Sequence, residues 1–155
     1  MPLDLSVLLD PSLLALNRKP MRATREPFPN AADALGGETS GWRQSLDGVW
    51  RFQLVDRPQA APADWTVADT SAAPWRDIKV PGVWTLQDTG DFPHYTNWVM
   101  PFASAKPPSV PDHNPTGLYR TRFTCPADWD GRSVFVDIGG FESFVMVWCL
   151  SLIHI

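Results

Sequence analysis

The sequence predicts an all-β sandwich or jelly roll, and three features lead there. Short runs of residues alternate apolar with polar, the period-two pattern of a strand with one buried face. Gly- and Pro-containing turns separate those runs at the close spacing of sandwich strands. The chain of 155 residues carries 16 prolines, and proline breaks long helices because it has no N–H and clashes with the preceding turn.

The elements follow in order. Residues 3–16 are moderately apolar and predict a short helix that Asp10-Pro11 interrupts or restarts, since proline suits a first helical turn. Residues 17–44 are polar, contain Pro20, Pro27, Pro29 and Gly36-Gly37, and read as an extended arm. Residues 49–55 follow the turn Ser45-Leu46-Asp47-Gly48, with Trp50, Phe52 and Leu54 alternating with Arg51 and Gln53 as a strand. After a Pro- and Ala-rich loop anchored by Trp65 and Trp75, residues 77–80 form a short strand that Pro81-Gly82 ends. Residues 83–117 hold no long periodic run. Three further strands are predicted. Residues 118–125 place Tyr119, Thr121, Phe123 and Cys125 on one face, and residues 132–138 place Val134, Val136 and Ile138 together. Residues 141–148 are apolar on both faces, which suits a covered strand.

Composition excludes several function classes. The formal net charge is −4, and no Lys/Arg run exceeds two residues, so no basic patch is marked for nucleic acid or an anionic membrane. The two cysteines, Cys125 and Cys149, form no zinc motif and no disulfide framework, which fits a reduced cytoplasmic protein. The N-terminus carries Asp4 and Asp10 and no basic residue before Arg18, unlike a signal peptide. No segment has transmembrane length. His94, His113 and His154 fit no common metal spacing, and no nucleophile motif is present. The 8 tryptophans read first as core residues, given the area each buries, and second as flat platforms for a ligand ring.

The segment from Asp91 to Gly117 is the richest in chemistry. It mixes Phe92, Tyr95, Trp98 and Phe102 with His94, Thr96, Asn97, Asp112 and Asn114. Sugars suit that mixture, because their C–H faces stack on rings and their hydroxyls need fixed donors and acceptors. Composition alone favours the other reading, a Pro-rich loop whose aromatics plug the edge of a sandwich.

Six strings in order then carry a resemblance. Ser45-Leu46-Asp47-Gly48-Val49-Trp50-Arg51-Phe52 resembles the opening strand of lac-type β-galactosidases of glycoside hydrolase family 2. Val80-Pro81-Gly82-Val83-Trp84-Thr85-Leu86-Gln87 resembles their "VPxNWQ" turn, with Gly82-Val83 where Ser-Asn or Gly-Asn is usual. His94-Tyr95-Thr96-Asn97 is similar to "xYTN", and residues 110–119 to "VPxxNPTGxY". Gly139-Gly140-Phe141-Glu142-Ser143 resembles the turn before a late strand, and Leu16-Asn17-Arg18 the family's "LNR".

The resemblance implies the family's N-terminal sugar-binding domain, a galactose-binding-domain-like jelly-roll β-sandwich. The domains expected are an arm over 1–44 with a short helix, the N-terminal part of the sandwich over 45–148, and a tail over 149–155 that lacks the family's turn residue and reads as non-native, a divergent strand end being the alternative. It implies that Asn97 contacts the galactosyl group, with Tyr95 and Trp98 on the rim, Trp98 standing where the family has Val. The retaining chemistry would come from two Glu residues of a barrel beyond residue 155. Glu26, Glu38 and Glu142 match neither, so this chain is expected to be a fragment, inactive alone and without cofactor, of an enzyme hydrolysing terminal β-D-galactosides. The implied partners are a galactoside and the downstream barrel, in a homo-oligomeric parent that uses Mg and Na ions bound elsewhere. A stand-alone carbohydrate-binding module is the alternative.

Overall fold

A computed structural model describes residues 5–21, 23, 25–37, 39–94, 105–106, 108–149 and 152–154. Its centre is a three-stranded antiparallel sheet. Strand β1 (Gly48–Val55) lies between β2 (Arg76–Val80) and β3 (Thr116–Arg120), giving the order β2-β1-β3. Trp50 stands opposite Ile78, and Phe52 opposite Tyr119. A separate two-stranded antiparallel sheet joins β4 (Val147–Cys149) to β5 (Leu152–His154). The described chain is thus built mainly on antiparallel β-structure, as expected.

The alternation in β1 decides what is buried. Phe52 is fully buried on the face it shares with Trp50 and Ile78. The opposite face carries Val55, which clusters with Leu118 and Trp75 and is flanked by Ala61 and Trp65. Trp65 meets Trp148 edge to face at 4.9 Å, which ties β4 to this second cluster. Every described tryptophan is buried or half-buried. Indole N–H groups find carbonyls as burial requires: Trp50 donates to Leu46 O at 2.7 Å and Trp129 to Gly41 O at 3.3 Å.

Between β1 and β2 the chain runs through a loop that two arginines hold. Arg51 Nε donates to Thr70 O at 2.6 Å and its Nη2 to Trp75 O at 2.8 Å. Arg120 donates to Trp65 O and Ala68 O and lies 5.8 Å from the Trp75 ring centre. In the same loop the Ser71 N–H and hydroxyl hold the Asp69 carboxyl below its usual value, helped by the charges of Arg120 and Arg122.

Several expected elements differ. The N-terminal helix is a single 3-10 turn, Leu5–Leu9, and stops where Asp10 Oδ1 accepts the Ser12 N–H at 2.9 Å. Within the expected extended arm, Ala31–Gly36 forms a short α-helix, α1. Asn30 caps it by accepting the Asp33 N–H at 3.0 Å, and Gly37 closes it in the left-handed region at φ 72°. A cap at each end outweighs the helix-breaking tendency of the surrounding prolines.

Residues 118–125 were expected as one strand, but β3 covers only 116–120, ending at the pair Arg51–Arg120. Residues 132–138 join no sheet, although their alternation is that of a strand. Period two describes a strand's faces but supplies no neighbour for its backbone, and Val134, Val136 and Ile138 remain exposed. Of residues 141–148 only Val147 and Trp148 enter a strand. Leu152–His154, in the tail expected to be foreign to the sandwich, supplies β5.

Candidate functional site

Three of the sequence strings converge at one ring. Phe52, from the β1 string, packs edge to face on Tyr119 of the β3 string, with ring centres 4.9 Å apart. Trp84, from the turn after β2, lies 6.2 Å from Phe52. Gly117 sits among them: a Cβ there would come 2.8 Å from Phe52, 2.9 Å from Tyr119 and 3.0 Å from Trp84. The glycine between Thr116 and Leu118 therefore has a packing reason, because a side chain would separate the three rings. Burial also raises the Tyr119 hydroxyl above its ordinary value of 10.0.

The cluster holds the start of the chemistry-rich segment through Trp84, and the residue after β1 holds its end. At its start, Trp84 Nε1 donates to Asp91 Oδ2 at 2.7 Å, while Asp91 Oδ1 accepts the Phe92 N–H at 3.0 Å. Thr89 Oγ1 donates to Trp84 O at 3.0 Å. Asp88 and Gly90 take positive φ values of 54° and 96°, which turn the chain sharply before Asp91. At its end, the Asn114 N–H donates to Asp56 O at 2.9 Å, just past β1, and Thr116 Oγ1 donates to Asn114 O at 2.9 Å. Both ends of the 92–115 segment are thus anchored at the same sheet.

The candidate sugar-binding residues Tyr95, Asn97 and Trp98 lie outside the described residues, as does Phe102. His94 and His113 are exposed, as is Glu142, and Glu26 pairs with Arg43 at 3.7 Å. Among the described residues no three His, Cys, Asp or Glu side chains stand close enough to hold a metal ion. Both cysteines are free. No described helix is long and apolar enough to cross a membrane. The role of Asp91 was missed in the sequence. The pairing of Trp84 with a carboxylate seven residues on was the available signal, since a half-buried indole N–H needs an acceptor.

The antiparallel sheet and the Phe52–Trp84–Tyr119 cluster define a β-rich domain. Residues 43–152 match the family model for the glycosyl hydrolases family 2, sugar binding domain, and the chain belongs to that family. It is 43% identical over 122 residues to a β-galactosidase of Psychromonas ingrahamii, covering 79% of this chain and 12% of that protein. A β-galactosidase of Vibrio cholerae is 40% identical over 112 residues, covering 72% of this chain and 11% of that protein. One from Erwinia tasmaniensis is 36% identical over 156 residues, covering 96% of this chain and 15% of that protein. The chain thus spans between 11% and 15% of the length of these relatives.

Proposed function

We propose that this chain is the sugar-binding part of a β-galactosidase and that it contributes Asn97 to the binding of a terminal β-galactoside. The observation that carries the reading is that the segment holding Asn97 is tied near its start by Trp84 to Asp91 and near its end by Asn114 to Asp56, beside the cluster where three family strings meet. Residues Asp91 and Asn114, which flank that segment, are each held by a hydrogen bond. Asn offers both a donor and an acceptor to a sugar hydroxyl, and Tyr95 and Trp98 would form the apolar rim. In this reading residues 45–148 belong to a jelly-roll sandwich, residues 1–44 form an arm, and the protein works in the cytoplasm.

The hydrolytic step, by the retaining route, would belong to two Glu residues of a partner barrel domain. Among the described residues, Glu26 and Glu142 offer no carboxylate pair: one is tied to Arg43 and the other is exposed. The test compares lactose binding by this chain with hydrolysis by a polypeptide in which the barrel is joined to it. Hydrolysis by the joined protein, with no millimolar lactose binding by the chain alone, is expected. Tight lactose binding by the chain alone, with no gain on joining, would favour the module.

A further inference from the structure

Among the described residues strand β2 is an edge of the sheet, with β1 on one side. An edge leaves outward N–H and C=O groups that invite another strand. At Lys79 both groups are already taken. Gln87 Oε1 accepts the Lys79 N–H at 2.8 Å, and Gln87 Nε2 donates to Lys79 O at 3.0 Å. One side-chain amide thus offers the same donor and acceptor that a neighbouring strand residue would. The turn is built to admit it. Gly82 has no Cβ where one would lie 2.5 Å from Gln87 Nε2 and 2.8 Å from Lys79 O. The 3-10 turn Trp84–Leu86 then sets Gln87 back against the strand.

We infer that Gln87 is a surrogate strand partner that closes the outer edge of β2 against pairing with a second copy of this chain. The inference is independent of the galactoside reading, because it rests on backbone groups of the sheet. Asp77 supplies an internal control. It lies two residues before Lys79 on the same strand, so its N–H faces the same side. No hydrogen-bond acceptor for the Asp77 N–H on that side is present among the described residues.

Amide hydrogen exchange in the full chain tests the cap. The Lys79 amide is expected to exchange at least tenfold more slowly than the Asp77 amide after correction for intrinsic rates. Equal rates would overturn the inference without any variant having to fold. Sedimentation velocity tests the consequence. Gln87→Val should self-associate at concentrations where the wild-type chain does not. Adding Lys79→Pro, which removes the outward N–H at a position where an edge strand tolerates proline, should restore the wild-type distribution. A Gln87→Val chain that sediments like wild type, or a double variant that associates as strongly as the single one, would contradict it.

Discussion

Arg51 and Arg120 stand directly opposite each other across the β1–β3 pairing, and both turn their guanidinium groups onto carbonyls of the same loop. Two like charges so placed would repel. Here each has its own favourable contact. Arg51 also pairs with Asp77 at 2.5 Å, and Arg120 lies over Trp75. The pair fastens the loop that carries Trp65 and Trp75, and through Trp65 the β4–β5 hairpin.

Replacing Arg51 with Met should therefore destabilise the sheet by about 2 kcal/mol, the scale for losing charged hydrogen bonds. Arg51→Lys should recover little of this, because an ammonium lacks the planar fork that reaches Thr70 O, Trp75 O and Asp77 together. Urea unfolding followed by tryptophan fluorescence measures both.

Gly117→Ala should cost about 1–3 kcal/mol, the usual range for overpacking a filled site. The added methyl meets rings on three sides and has no open direction to move into. Near-ultraviolet circular dichroism should lose aromatic signal as Trp84 and Tyr119 are pushed from Phe52.

Tyr119 predicts a loss of stability at alkaline pH. Its folded-state value is raised by burial, so the fold favours the neutral phenol. That contribution is complete below the ordinary value of 10.0 and is lost as pH rises through the raised folded value. Tyr119→Phe should flatten the stability profile in this window while leaving it unchanged near neutrality. Unfolding midpoints from pH 8 to about pH 11 decide the point.

Phe141 and Phe144 are exposed outside both sheets. Changing both to Ser should lower the binding of a hydrophobic dye and shift the stability of the three-stranded sheet by no more than about 0.5 kcal/mol, the scale for surface substitutions. Dye fluorescence and urea titration on the same samples separate the two effects.

Much of this was legible in the sequence where a residue's own chemistry sufficed. The alternation of Trp50, Phe52 and Leu54 marked β1, and Pro81-Gly82 marked the end of β2. Residues 132–138 show where such reading stops. Their pattern is that of a strand, but pairing depends on a neighbour that local sequence does not name. The helix Ala31–Gly36 was hidden for the opposite reason, since its stability lies in the caps Asn30 and Gly37 and not in an apolar stripe. The Trp84–Asp91 and Gln87–Lys79 contacts join residues seven and eight positions apart across turns, a relationship no periodicity encodes.

The most direct test of the proposed sugar-binding reading is steady-state kinetics of Asn97→Ala in a protein that joins this domain to an active β-galactosidase barrel. Loss of a polar contact to the galactosyl group should lower kcat/KM for β-galactosides by about tenfold or more, equivalent to about 1.4 kcal/mol. Asn97→Asp, which keeps an acceptor, should fall less. Unchanged kcat/KM in Asn97→Ala would contradict the account and remove Asn97 from the site.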